Sequence, residues 1–172
     1  PLFARWKGHL QPGARTGRVA AHIDILPTVL EACSVSLPDG LKIDGVSFLA
    51  ELENRQVKRD PRTIVIQAHR GDEPLLYHNF MARNGRWKLV HPSAFWRDTF
   101  EGQPNFQLYD LEADPYELDD VSDAHPEIVT RLLSDYEAWL EDVSAEREDP
   151  WAQLSYTNLT RPTKSRGEGA EG

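Results

Sequence analysis

The chain has 172 residues, an apolar share of 40%, one cysteine and a formal net charge of −9. This composition can supply the core of an ordinary domain, contains no run near the ~20 apolar residues of a membrane span, and excludes an internal disulfide. Residues 1–99 carry 14 basic and 10 acidic side chains, whereas residues 100–172 carry 5 and 18, so the second part would repel nucleic-acid phosphates.

The first predicted element is a short strand over Leu2–Trp6, stopped by Gly8 and the turn at residues 11–13. Because the chain opens directly into this apolar run, we expect it to be the rear portion of a larger protein whose N-terminal half is missing here. No targeting segment is visible.

A helix is predicted next, from Asp24 to Cys33. Asp24 can cap its first turn, where Pro27 breaks no hydrogen bond. The apolar face of this helix has the spacing i, i+3, i+7, i+10 and consists of Ile23, Leu26, Leu30 and Cys33. On that face Cys33 is expected to be an inert buried thiol.

Four strands are expected in the following part. Thr63–Ala68 is rich in β-branched residues, residues 79–90 are typical of a hairpin with a type I′ turn at Asn84-Gly85, and Phe106–Tyr109 adds a further strand. The alternation of apolar and polar residues predicts that one face of the sheet is exposed to solvent and the other is buried.

The last predicted element is a long helix from Pro126 to Val143, which we expect to cover the sheet. Its apolar side consists of Ile128, Leu132, Leu133, Tyr136, Trp139, Leu140 and Val143. Residues 147–172 have no apolar period and are predicted to be an extended or disordered tail.

One polar cluster is a candidate binding site. His69, Arg70, Gly71 and Asp72 follow the Thr63–Ala68 strand directly. An arginine holds a sulfate or carboxylate through two parallel hydrogen bonds, and a histidine can add a third. We therefore predict that His69 and Arg70 bind substrate, with His78 and His91 able to approach the same sheet edge. The alternative is a surface ion pair of Arg70 with Asp72 or Glu73.

Two acidic patterns are not interpreted as metal sites. His22 and Asp24 have no third ligand nearby, so Asp24 is expected to cap the helix. The carboxylates of Asp110, Glu112 and Asp114 are spaced like the start of a calcium loop, but its sixth and twelfth places hold Pro115 and Val121. A turn at Asp114-Pro115 is expected instead. No catalytic residue and no metal ligand is assigned in this chain.

Four pieces of sequence in this order carry a family resemblance: Arg5-Trp6, D-I-L-P-T at 24–28, D-G-V-S-F-L at 44–49 and L-Y-D-L-E-A-D-P-Y-E at 108–117. Together they resemble the C-terminal part of a type I sulfatase, of the alkaline phosphatase-like superfamily. The departures are small: Lys7 replaces a usual proline, and Asp119-Asp120 stands where Asn-Leu is common.

The resemblance implies an α/β fold, with α+β character within this fragment. Residues 1–50 would form the last strand and helix of a large mixed sheet. Residues 51–146 would form a small antiparallel four-stranded sheet covered by the long C-terminal helix, followed by the tail at 147–172.

The resemblance also implies hydrolysis of aryl or carbohydrate sulfates by the full-length enzyme, with calcium and a formylglycine nucleophile. The conversion pattern is Cys/Ser-x-Pro-x-Arg, whereas Cys33 is followed by Ser-Val-Ser-Leu, so nucleophile and metal would lie upstream and this fragment alone would be inactive. The partner would be a sulfated small molecule or glycan. A periplasmic or extracellular location follows only by analogy.

Two alternatives remain open at this point. One is a phosphodiesterase or phosphonate monoester hydrolase of the same superfamily. The other is a noncatalytic module that binds a glycan or a protein through the sheet face and the loop at residues 69–72.

Overall fold

The computed structural model describes residues 2–68, 74–93 and 100–145. The chain divides into two compact units, Pro1–Ile64 together with Asn84–Arg86, and Val65–Arg83 together with Trp87–Gly172. The predicted boundaries at residues 50 and 146 stay predictions. Within the described residues no helix is long and apolar enough to cross a membrane.

The first unit contains little regular structure. A 3₁₀ turn at His22–Asp24 leads into helix α1 (Ile25–Ala32), and a short helix α2 follows (Leu49–Leu52). The predicted helix over 24–33 is thus confirmed, with Pro27 in its first turn. The predicted strand at Leu2–Trp6 is wrong for this structure, because the described residues offer it no neighbouring strand and a strand exists only through its ladder hydrogen bonds.

The side chain of Asp24 does not cap α1, contrary to the prediction. It is completely buried, and both of its oxygens accept from groups outside α1. Oδ2 accepts from the backbone N–H of Ala21 at 2.8 Å, Oδ1 accepts from that of Val46 at 2.8 Å, and the guanidinium of Arg62 pairs with Oδ2. A buried charge is tolerable only with such partners, so Asp24 joins three separate segments.

Thr28 and Gly45 complete this contact. The Thr28 hydroxyl donates to the Asp24 carbonyl at 2.6 Å and accepts from the N–H of Phe48 at 3.0 Å. A Cβ on Gly45 would lie 2.0 Å from the carbonyl oxygen of Ile23, so only glycine fits there. We call Asp24, Thr28, Gly45, Val46 and Arg62 the Asp24 cluster. It holds D-I-L-P-T against D-G-V-S-F-L.

The expectation that Cys33 is buried is wrong. Cys33 is exposed and forms the C-terminal cap position of α1, followed by Ser34 with φ 55°. Ile23 and Leu26 are 40% and 51% exposed. Within the described first unit, α1 therefore buries the side of Asp24 and Thr28 and leaves its apolar stripe largely uncovered.

The sheet confirms the predicted four antiparallel strands. Its strands are β1 (Ile64–Gln67), β2 (Phe80–Asn84), β3 (Trp87–His91) and β4 (Gln107–Asp110), in the order β1-β2-β3-β4. β3 and β4 run antiparallel with Leu89 opposite Leu108.

The hairpin between β2 and β3 is present, but its turn lies one residue later than predicted. The loop residues are Gly85 and Arg86, while Asn84 belongs to β2. Gly85 has φ 58°, which suits the first central position of a type II′ turn. The Asn84 side-chain amide donates to the Thr63 hydroxyl at 3.0 Å.

Helix α3 (Pro126–Ala145) covers one sheet face, as expected. The core contains fully or almost fully buried side chains from both layers: Phe80, Ala82, Leu89, Leu108, Leu132, Tyr136 and Leu140. The Tyr136 ring stacks on Phe80 with 3.9 Å between centroids. Because side chains alternate along a strand, Lys88 and Val90 lie on the face opposite to α3.

The expected turn after β4 is confirmed. The Asp114 carboxylate accepts backbone N–H groups of Tyr116 (3.2 Å) and Asp119 (2.9 Å), and also that of Leu118. These hydrogen bonds, led by that of Asp119, lower the pKa of Asp114. Asp120 accepts from the N–H of Leu108 at 3.0 Å. The carboxylates of Asp114 and Asp120 thus fix the backbone of this turn by accepting hydrogen bonds from its N–H groups and from that of Leu108.

Candidate functional site

The predicted substrate residues His69 and Arg70 lie outside the described residues, so their side chains are not placed. The positions on either side are described. β1 ends at Gln67, and the N–H of Ala68 donates to the carbonyl of Asn79 at 3.1 Å. The candidate site is therefore the sheet edge formed by the end of β1, the residues before β2 and the end of β3.

His78 and His91 do reach this edge together. His78 is fully buried and His91 is 6% exposed. Both rings contact Phe100, with centroid distances of 6.1 Å and 4.7 Å. The Nδ1 atom of His78 lies 2.8 Å from the Ser93 hydroxyl, and Nδ1 of His91 donates to the carbonyl of Tyr77.

The backbone between Tyr77 and Asn79 has an uncommon conformation. Tyr77 has φ 61° and Asn79 has φ 42°, on either side of the buried His78. Asparagine tolerates this left-handed region, but tyrosine rarely adopts it. Such residues persist only where the surroundings fix them, and they cluster at functional sites.

Side chains from three elements surround this segment. The Gln67 amide donates to the carbonyls of Leu75 at 2.7 Å and His78 at 3.0 Å, and so joins the two described ends of the connection between β1 and β2. The Tyr136 hydroxyl accepts from the N–H of Tyr77 at 3.0 Å. No sequence signal singles out Gln67 or Ser93, and the apolar period of α3 indicates Tyr136 only as a core residue.

Two tyrosines at this edge resist ionisation. The hydrogen bond from Tyr77 to Glu137 is the main reason that the pKa of Tyr77 rises to about 12, with burial adding to it. Burial also raises the pKa of Tyr136, although the N–H of Tyr77 works in the opposite direction. Both hydroxyls therefore stay protonated at neutral pH and act as fixed hydrogen-bonding groups.

A second concave region lies on the sheet face opposite to α3. Its volume is about 440 Å³, and its lining includes Ile66, Met81, Lys88, Tyr109 and Glu117. The ammonium of Lys88 lies 2.6 and 2.7 Å from the two oxygens of Glu117. An anionic ligand in this region would have to displace the Glu117 carboxylate from Lys88.

The described residues contain no group of three or more histidine, cysteine, aspartate or glutamate side chains that could hold a metal ion. Asp110 and Asp114 direct carboxylate oxygens to backbone N–H groups, of Glu112 in the first case. The described part of the chain thus supplies no ligand set for a divalent cation.

Comparison with known proteins accounts for the motifs. Residues 1–144 match the family described as N-sulphoglucosamine sulphohydrolase, C-terminal. Mouse arylsulfatase K is 31% identical over 138 residues, which are 77% of this chain and 23% of the relative. An N-acetylgalactosamine-6-O-sulfatase of Bacteroides thetaiotaomicron is 27% identical over 138 residues, 77% of this chain and 25% of that protein.

A solved structure from work on the metabolism of multiple glycosaminoglycans by Bacteroides thetaiotaomicron has a TM-score of 0.50 and 28% identity. The match covers 69% of this chain and 24% of that one. The chain spans at most 32% of the length of the curated relatives it matches. With a family match over most of its length and sulfatases among its relatives, the chain belongs to the N-sulphoglucosamine sulphohydrolase C-terminal family of sulfatases.

Proposed function

We propose that the full-length protein containing this chain is a sulfuric ester hydrolase that acts on aryl or carbohydrate sulfates. The observation that carries the proposal is the family match over residues 1–144. It is supported by the geometry of the matched motifs, since two of them are bonded to each other in the Asp24 cluster.

Calcium and formylglycine belong to the proposal as properties of the full-length enzyme. The described residues do not fit either group: they contain no metal-ligand set, and exposed Cys33 lacks the proline and arginine of the conversion pattern. We therefore place the nucleophile and the cation in the polypeptide outside this chain. In the curated relatives, the part that this chain does not match makes up most of the length.

The role proposed for this chain is recognition of the organic part of the substrate. His69 and Arg70 follow a strand whose end is fixed by the hydrogen bond between Ala68 and Asn79. A guanidinium at such a position can bind a sulfate or carboxylate of a sulfated sugar through paired hydrogen bonds.

The test measures ester hydrolysis by the full-length protein, as sulfate released from the sulfate esters and as the phenol released from the phosphorus esters. The substrates are 4-nitrophenyl sulfate, N-acetylgalactosamine 6-sulfate and N-acetylglucosamine 6-sulfate, with bis(4-nitrophenyl) phosphate and phenyl phenylphosphonate as the alternative class. We expect turnover of at least one sulfate ester and a lower kcat/KM for both phosphorus esters. Preferred hydrolysis of a phosphorus ester would contradict the proposal in favour of the related hydrolases.

Replacing Arg70 with alanine in the full-length enzyme is expected to lower kcat/KM for the sulfated sugar at least about tenfold, because the paired charge-assisted hydrogen bonds of its guanidinium would be lost. The control is Arg131→Ala, which removes an exposed arginine from α3. An unchanged kcat/KM in the Arg70 variant would remove Arg70 from the substrate site and would favour the surface ion pair.

A further inference from the structure

The segment Tyr77–Asn79 is held more completely than a connection between two strands requires. Each of its backbone N–H and C=O groups has a hydrogen-bond partner. In chain order the partners are the Tyr136 hydroxyl, the His91 imidazole, the Leu75 carbonyl, the Gln67 amide, the Ser93 hydroxyl and the Ala68 N–H. Four of these are side-chain groups, from β1, β3, the residues after β3, and α3.

These hydrogen bonds hold the backbone of Tyr77 and Asn79 in the left-handed region, which is unfavourable without them. Tyr77 at φ 61° is unfavourable for a residue with a bulky side chain. Its N–H and C=O are both bound by buried rings, those of Tyr136 and His91. The conformation is therefore fixed from the helix layer and from β3 at the same time.

The same contacts fix the described residues on both sides of the connection between β1 and β2. The Gln67 amide bridges to the carbonyl of Leu75, and Ala68 is bound to Asn79. A rigid base of this kind is what precise placement of binding groups requires.

We infer that Tyr136 and Gln67 are positioning residues for recognition of the organic part of the substrate, and that they act through the backbone of Tyr77–Asn79. This inference rests on the proposed function. Each side chain binds the backbone of this segment directly. Each can therefore act on the substrate site through that backbone, without contacting substrate. The Tyr136 hydroxyl is the more informative of the two, since its ring has a separate role in the core, stacked on Phe80.

The test uses the full-length enzyme with Tyr136→Phe, which keeps the stacked ring and removes the hydroxyl that accepts from the Tyr77 N–H and interacts with the Gln67 side chain. Gln67→Met, at a partly exposed position, is the second variant. The matched control is Tyr109→Phe, which removes a hydroxyl bonded to Gln107 at 3.0 Å on the other sheet face. Each variant is assayed with 4-nitrophenyl sulfate and with N-acetylgalactosamine 6-sulfate, and amide hydrogen exchange of residues 75–79 is followed without substrate.

For Tyr136→Phe we expect faster exchange at residues 75–79 and a KM for the sulfated sugar raised about fivefold, as one unpaired buried donor would cause. Gln67→Met is expected to act in the same direction. The kcat for 4-nitrophenyl sulfate should stay within about twofold of the parent, and Tyr109→Phe should change neither quantity.

Unchanged exchange in both variants would overturn the positioning role itself, whatever the activity. Faster exchange with an unchanged KM, or an equal loss of kcat on both substrates, would overturn the link to recognition. Arg70→Ala, assayed in parallel, reports separately on the proposed substrate site, so that a failure there is distinguishable from a failure here.

Discussion

Replacing Gly45 with alanine is expected to destabilise the protein by about 3 kcal/mol, at the upper end for forcing a methyl group into a filled site. The added Cβ would lie 2.0 Å from the carbonyl oxygen of Ile23 and 3.1 Å from the Pro27 ring. The first of these is backbone and cannot turn away. The loop must then shift, and the shift would break the hydrogen bond from Val46 to Asp24.

The measurement is the thermal unfolding temperature of the full-length protein, with Gly17→Ala as the matched control. A Cβ added at Gly17 would meet no atom within 4 Å, and Gly17 has no positive φ, so its substitution should leave the unfolding temperature almost unchanged. If both alanine variants unfold at the parent temperature, the close contact between the two motifs is not present in solution.

Replacing Asp24 with alanine is expected to cost about 3 kcal/mol of unfolding free energy, since breaking a buried ion pair leaves its partners uncompensated. The N–H groups of Ala21 and Val46 and the guanidinium of Arg62 would all lose their acceptor. Asp39→Asn, at an exposed position, is the control and should have no effect.

The contribution of Asp24 should also depend on pH. Burial raises the pKa of its carboxyl group, but the N–H groups of Val46 and Ala21 and the Arg62 guanidinium outweigh burial, so the pKa lies below its ordinary value of 3.8. A carboxylate with a lowered pKa stabilises the fold fully above the ordinary value, and this stabilisation is lost as the pH falls through the lowered one.

Unfolding temperatures of the parent and Asp24→Asn are compared between pH 7 and pH 2 to test this. The difference should be constant above about pH 5 and should shrink below about pH 4. A difference that stays the same down to pH 2 would mean that the ionised carboxylate is not what holds the cluster.

The regular elements of the second unit can be predicted from the sequence because their signals are local. The apolar period of Pro126–Val143 and the alternation around Asn84-Gly85 each identify an element of the sheet-and-helix layer. The turn itself lies one residue later than predicted, at Gly85-Arg86. Both pairs contain a glycine, and the sequence does not say which of its neighbours joins the strand.

The first unit cannot be predicted equally well, since its contacts are long-range. Asp24 resembles a helix cap in sequence, yet its partners Val46 and Arg62 lie 22 and 38 positions away. The position of Cys33 on the apolar stripe of α1 favours burial, but that stripe is not the side that the described unit covers.

The location of the candidate site can be predicted from the sequence, but the backbone conformation at the site cannot. The end of β1 and the approach of His78 and His91 to one edge follow from strand order. The conformation of Tyr77 does not, because it depends on Tyr136, which lies 59 positions away in a helix.

We propose that this chain forms part of the scaffold and of the recognition site of a sulfatase, and that the reactive centre lies in the remaining polypeptide. The most direct measurement compares 4-nitrophenyl sulfate hydrolysis by the 172-residue chain and by the full-length protein at equal molar concentration. We expect release of 4-nitrophenol by the full-length protein and no release above buffer by the chain alone. Sustained turnover by the purified chain would contradict it.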